Sequence, residues 1–390
     1  MLTIFNEILF FKKRKTVYFS LIFLILILGI NTINVVDATN VTISPTTSGG
    51  LWEAIKTANN GDTIYLKDGE YTGEYNVEIN VNKNITIQGE SKNVVINGQN
   101  KYKYLFQMVK HDPTQKFMPV SVKLVNLKVK NFNETVIDNW GSLKVVNCTF
   151  TDNEISDAII GNYDDSYCKI INSIFTKNTF TYNKSANTAG IAIYNDNIAS
   201  FSITGSTFSN FKSTSESNGV AIQNIKSTDV LINKCEFNNV GKGYTIYNMN
   251  KSRVRVINSI FTNDKRSICN TGSYTDVSKS IFKNSKYGSI LNLNNMKISD
   301  SKFTNNKGIK YDKIIENSDK LTITKSKFTN NKNTEGIITN TRSMNISKST
   351  FKNNTGKTAG TITNLGYMKI SSSITYCKNI KVNVNLSHSK

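Results

Sequence analysis

Proline is nearly missing from this chain: Pro45, Pro113 and Pro119 are the only three in 390 residues. Apolar residues make up 38%, below the usual share for a compact globular domain. Arginine is almost as rare as proline, with Arg14, Arg253, Arg255, Arg266 and Arg342, although the net charge is +20. Lysine therefore carries the charge, and the scarcity of the residue that makes bidentate base and phosphate contacts argues against a nucleic-acid partner. Only His111 and His388 could act as imidazole bases, and no Gly-His-Gly or Arg-x-Lys element accompanies them. The 28 acidic residues are scattered, with no GGxGxD calcium repeat, so no metal or cofactor site is expected. Asp164-Asp165 is the only adjacent acidic pair, placed in a turn and read as solvated. No catalytic residue is assigned; carboxylates gathered from distant segments would escape a linear scan.

The five cysteines (Cys148, Cys168, Cys235, Cys269, Cys377) are odd in number and form no CxxC, which fits neither a disulfide framework nor a zinc site. Cys148 and Cys235 each stand two residues before a recurrent Phe, where other copies carry Ser, and read as buried thiols. Free thiols in an exported chain suit a reducing or anaerobic habitat.

The one long apolar run lies at the N-terminus. Lys12-Lys13-Arg14-Lys15 precedes Val17–Ile30, and Val36 and Ala38 supply the small pair of a cleavage site. Residues 1–38 read as a secretory signal peptide, or an anchor if uncleaved, because fourteen apolar residues are short for a membrane span. Contact with a membrane is expected only through this segment. Residues 39–60 read as an N-terminal cap in which Leu51, Trp52, Ile55 and Ala58 of a short helix cover the first coil. Residues 61–385 form the repeat region and 386–390 a tail.

What the chain has in abundance is periodic. Asparagine supplies about one residue in seven. Phe recurs at 150, 175, 208, 237, 261, 282, 303, 328 and 351, each followed by small polar residues. Ile-x-Asn recurs with Asn at 139, 162, 195, 224, 248, 270, 292, 317, 340 and 364. Between these marks lie two-residue alternations such as Leu143-x-Val145 and Leu321-x-Ile323, the signature of short strands. A unit of two or three such strands cannot close a core alone, but stacked units can. The expected fold is all-β: a right-handed parallel β-helix of about thirteen coils, on the order of 60 Å long at strand spacing. Phe150, Phe175, Phe208, Phe237, Phe261, Phe282, Phe303, Phe328 and Phe351 should form one stacked column. Asn162, Asn195, Asn224, Asn248, Asn270, Asn292, Asn317, Asn340 and Asn364 should form an amide ladder at a corner that tolerates positive φ.

The spacing divides each repeat. From corner Asn to the next Phe the gap stays between 11 and 13 residues, whereas from Phe to the next Asn it ranges from 9 to 20. Insertions are thus confined to one edge of the rod, the largest at 176–190 and 209–219, with a further irregular stretch at 104–119. Loops on a rigid scaffold tend to carry binding, and Phe180, Tyr182, Lys184 and Lys212 are the candidate recognition residues. Tolerated drift in solvated loops would explain the same insertions.

The opening DTIYLKDGEYTG, with NKNITIQGES and VVINGQ after it, resembles the first coils of pectate-lyase-like β-helix proteins. FTxN with AGIAI, NGVAI and AGTIT is similar to the polymorphic outer-membrane protein repeat of chlamydiae. Together with the Asn/Thr-rich composition and the leader, the chain resembles the adhesin-like β-helix proteins of methanogenic archaea over roughly 45–385. That resemblance implies a secreted or cell-surface protein whose partners are extracellular glycan, cell-wall polymer or another cell surface. A polysaccharide lyase or hydrolase of the same fold, and a structural surface spacer, remain alternatives. Sequons such as those at Asn147 and Asn345 could carry glycans.

Overall fold

The computed structural model describes residues 39–108, 120–183, 188–214, 219–272, 274–309, 312–356 and 360–376. The expected leader, Lys184, both histidines and the KNIKVNVNL segment lie outside the described residues. The described residues from Asn40 to Tyr376 form a parallel β-helix. One coil illustrates the rest: Ser142–Val146 lies in sheet A, Thr149–Thr151 in sheet B and Ala158–Tyr163 in sheet C, and Tyr167–Ile171 returns to sheet A. Sheet A stacks 14 strands, sheet B 13 and sheet C 12, with neighbouring strands parallel and in register.

Each strand alternates inward apolar and outward polar side chains because side chains in a strand change face at every residue. The nine phenylalanines occupy the inward position of sheet B and are buried. Their rings stack at centroid separations of 4.6–5.0 Å with interplanar angles of 3–13°. In-register pairing at strand spacing leaves a flat ring no other low-energy neighbour than its own copy.

The Ile-x-Asn asparagines lie near the ends of the sheet C strands and are buried. Each side-chain amide donates to the Oδ1 of the next at 2.6–2.8 Å from Asn139 to Asn248 and again from Asn270 to Asn364. Several also donate to the first carbonyl of a nearby sheet A strand, as Asn317 does to Ser343 O at 3.0 Å, and so bind the corner together. Between the two runs the Thr275 hydroxyl intervenes, accepting from Asn248 and donating to Asn270 Oδ1. These asparagines do not occupy positive φ, which corrects the reason expected for them: burial of the amide, not a left-handed turn, selects Asn. The left-handed residues are other sets, at the A–B corner (Asn147, Asn172, Asn258) and two residues after each Phe (Asn263, Asn284, Asn305).

Two further ladders line the corners. The residue two before each Phe accepts the backbone N–H of the coil before it through Oγ, as Ser301 does from Ser280 and Ser326 from Ser301. Cys148 and Cys235 occupy this column, and burial pushes both thiols up to about 12. All four described cysteines are buried and unbridged. Three residues after Phe, Asn306, Asn331 and Asn354 form a second buried amide ladder.

At the N-terminal end, helix α1 (Gly50–Thr57) buries Leu51, Ala54 and Ile55. Its Leu51 N–H is accepted by Asn76 Oδ1 at 3.0 Å. Trp52 does not cover the first coil: it is exposed, with the Lys56 ammonium over its ring. Among the described residues, the last three-strand turn reaches Tyr376.

Candidate functional site

The three sheets differ in charge. Sheet A strands carry Lys123, Lys144, Lys169, Lys297, Lys320 and Lys369, and sheet B strands carry Lys128, Lys130, Lys283, Lys302, Lys327 and Lys352. Sheet C strands contain no lysine among the described residues; their ionisable side chains include Asp138, Asp196, Arg266 and Glu316. In a chain of net charge +20, this face alone does not favour polyanions. It also widens in the middle: Ala158–Tyr163, Ile191–Asp196, Val220–Ile225, Tyr244–Met249 and Arg266–Thr271 are six-residue strands, whereas Ile137–Asn139 and Ile290–Asn292 have three.

An aromatic row crosses the N-terminal part of this face. Trp140 and Tyr163 stack at 4.8 Å with a 24° interplanar angle, and Tyr194 follows at 5.8 Å from Tyr163. Gly161, in register between Asp138 and Tyr194, makes the row possible. A β-carbon there would collide with the Tyr163 ring, so glycine is the residue that lets the phenol fold back onto the sheet. Tyr194 Oη donates to Asp196 Oδ2 at 3.3 Å. Burial pushes the Tyr194 phenol up to about 12 and the Tyr163 phenol further, so both remain donors at any ordinary pH.

Carboxylates border the row. Asp138 is pushed up to about 6, chiefly by burial, with the charges of Asp157 and Glu134 adding; the amide of Gln107, donating to its Oδ2 at 3.2 Å, opposes the shift. Asp157 is also raised by burial, against the Thr135 hydroxyl that donates to it at 3.1 Å. Glu134 pairs with Lys103 at 3.3 Å.

Farther along sheet C, an open pocket of about 260 Å³ is lined by Tyr244, Arg266, Tyr287, Asp312, Lys313 and Glu316, among others. Arg266 forks onto both oxygens of Asp312 at 3.0 and 2.8 Å while its guanidinium lies 5.5 Å from the centre of the Tyr244 ring. Lys313 pairs with Glu335. Flat rings, fixed hydrogen-bonding groups and little free charge are what a sugar ring needs: apolar faces to stack on and polar groups for its hydroxyls.

Of the expected recognition residues, Phe180, Tyr182 and Lys212 do not come together at this face; Lys184 lies outside the described residues. Phe180 points inward: it is fully buried and meets Phe211 edge-on at 4.9 Å, because Thr179-Phe180 forms an extra short strand whose alternation turns Phe into the core. Tyr182 is exposed at the base of a two-residue hairpin pairing with Ala189, and Lys212 is exposed in a short strand paired with Thr179. Asp164 and Asp165 occupy a left-handed turn, where Asn197 donates to Asp164. Trp140, Tyr163, Tyr194, Asp138 and Tyr244 were not singled out in the sequence. For Asp138 and Tyr194 the signal was the middle position of Ile-x-Asn, which must face outward when its neighbours face in; Trp140 and Tyr163 directly follow the Asn, and Tyr244 stands two before the Ile, where that pattern gives no signal.

Among the described residues no three His, Cys, Asp or Glu side chains are grouped to hold a metal. No helix among them is long and apolar enough to cross a membrane.

No protein-family model matches the chain, and no curated protein sequence matches it. Solved structures with similar folds include a Geobacillus virus E2 protein, ORF18, at 12% identity and a TM-score of 0.37; the alignment covers 86% of this chain and 62% of that one. Pectate lyase Pel9A is similar at 13% identity and a TM-score of 0.39, covering 90% and 82%. PfbA, a surface adhesin of Streptococcus pneumoniae, is similar at 13% and 0.38, covering 84% and 91%.

Proposed function

We propose that the protein is an adhesin-like component of the cell surface or secretome, whose rod presents sheet C to carbohydrate. The observation that carries this reading is the Trp140–Tyr163–Tyr194 row at the one of the three long sheets whose described strands lack lysine. Stacked rings give a sugar a broad apolar contact, and the absence of lysine selects glycans that are not acidic. Export rests on the leader-like residues 1–38, and the partner is an extracellular glycan, wall polymer or another cell's surface. A glycan array probed with residues 39–390 and with a Trp140→Ala variant tests it. Binding of neutral glycans that falls about tenfold or more in the variant is expected, since a stacking aromatic contributes on the order of 1–3 kcal/mol. Silence of the parent across neutral glycans would overturn the reading in favour of a structural spacer.

A second reading, cleavage of a polysaccharide, is favoured by one feature. Asp138 keeps its proton up to about pH 6 and is electrostatically coupled to Asp157 beside the same aromatic row. A carboxyl with a raised pKa beside a second carboxyl is the starting arrangement of a glycoside-cleaving pair. Release of reducing ends by the parent and its loss in Asp138→Asn would establish this reading over simple adhesion.

A further inference from the structure

A second track lies on the other side of the B–C corner and is independent of the sheet C reading. Four consecutive coils repeat Phe-x-Asn-x-Lys: FTNDK at 261–265, FKNSK at 282–286, and FTNNK at 303–307 and 328–332. The coil after them has FKNNT at 351–355, which keeps the Asn and drops the Lys. Because the phenylalanines are in register, every later position is too. The backbone N–H of Lys286 bonds Asp264 O, that of Lys307 bonds Ser285 O, and that of Lys332 bonds Asn306 O. Lys265, Lys286, Lys307 and Lys332 therefore stand one above another at strand spacing, about 4.8 Å. Beside them runs a row of outward left-handed asparagines, Asn284, Asn305, Asn330 and Asn353, with φ between 54 and 59°. Asn305, Lys307, Asn330, Lys332 and Asn353 of these rows line an open furrow.

Lysines 286, 307 and 332 are exposed, and none has an ion-pair partner among the described residues. The sheet B strands beneath them, Ile281–Lys283, Lys302–Thr304, Lys327–Thr329 and Thr350–Lys352, carry no carboxylate and add four further lysines. Like charges stacked directly opposite one another are unfavourable. Lys265 lies over the Tyr287 ring, and the remaining column of Lys286, Lys307 and Lys332 is relieved by a ligand that brings one negative charge per coil.

We propose that this lysine–asparagine furrow binds a linear acidic polysaccharide laid along the rod axis. A uronate chain supplies one carboxylate per sugar, and one sugar with its glycosidic oxygen is about as long as the strand separation. The Asn carboxamides can both donate to and accept from the sugar hydroxyls. A nucleic acid fits less well: the furrow lining has no aromatic ring on which a base could stack and no arginine. The rod thus carries two glycan tracks of opposite character, a neutral one on sheet C and an acidic one at the corner.

Titration of the full chain with oligogalacturonate at low and moderate salt tests this. Binding should weaken with salt, with a log–log slope of about 2–3 for three lysines. The triple variant Lys286→Gln, Lys307→Gln, Lys332→Gln should lose about tenfold or more. The triple variant Lys123→Gln, Lys144→Gln, Lys169→Gln removes the same charge from an equally stacked column on sheet A and should change affinity by less than about twofold. Replacing the three furrow lysines with Arg should retain binding, which separates loss of the track from loss of fold. Equal losses in both Gln triples, no binding by the parent, or ladder-dependent preference for polyphosphate or single-stranded DNA would overturn the proposal. Neutral-glycan binding in the same variants reads sheet C separately.

Discussion

The phenol ring of Tyr163 lies over Gly161, in the space where any other residue would carry its β-carbon. The contact links a backbone requirement to a surface: the ring Trp140 stacks on is held flat because the residue beneath it has no side chain. Gly161→Ala should displace Tyr163 while leaving the coil formed. The expected outcome is a loss of about 0.5–1.5 kcal/mol in neutral-glycan affinity, the range for an aromatic pair. Calorimetry, with circular dichroism as the control for folding, would check it.

The phenylalanine column is the strongest apolar element of the rod. Phe303 is fully buried between Phe282 at 4.6 Å and Phe328 at 4.7 Å. Phe303→Ala should cost about 3–5 kcal/mol through the cavity it leaves. In a solenoid each coil contacts only its neighbours, so the loss should be local. Hydrogen exchange should rise in the coils of Phe282, Phe303 and Phe328 and stay unchanged near Phe150.

Asn317 donates to Asn340 Oδ1, Ser343 O and Asp319 O, and it accepts from Asn292. Removing its amide in Asn317→Ala leaves buried partners unsatisfied, at about 1–3 kcal/mol for each group stranded. Asn364 is an acceptor at the last described rung and donates only to Gly366 O, so Asn364→Ala should cost less. Chemical denaturation of the two variants side by side gives the comparison.

Asp264 occupies the column that holds Asn306, Asn331 and Asn354 in later coils. Its Oδ1 accepts from the Val240 N–H at 3.1 Å, whereas Oδ2 is buried without a partner. Burial pushes the carboxyl up to about 7, opposed chiefly by the Val240 N–H that donates to it. Because the folded state holds this proton more tightly than the unfolded chain, with an unfolded value near 4, stability is full below about pH 4. It falls as pH rises through about 7, by at most about 4 kcal/mol. Asp264→Asn should flatten that decline and stabilise the protein at pH 8, since the Asn of this column donates to a Phe carbonyl, as Asn306 does to Phe282 O. Melting temperatures of parent and variant between pH 4 and 8 would show it.

The coil count was legible in the sequence, because it follows from the spacing of Phe and Asn alone. Strand alternation then determined which side of each strand is buried, including Cys148 and Cys235. The binding surface was less legible. Insertions drew attention to Phe180, yet the added segment forms its own short strand and buries that ring. Tyr163 and Gly161 are close in sequence, but their use depends on Trp140, a coil away. The lysine ladder was present as a motif in the chain but gains meaning only when four copies are set one strand apart. The sequence by itself determined the repeat, since hydrophobic period and corner chemistry are local properties. Only the tertiary structure decided which residues share a face. Register joins positions 21–37 residues apart, and the charge of a sheet is the sum of columns that no linear window contains.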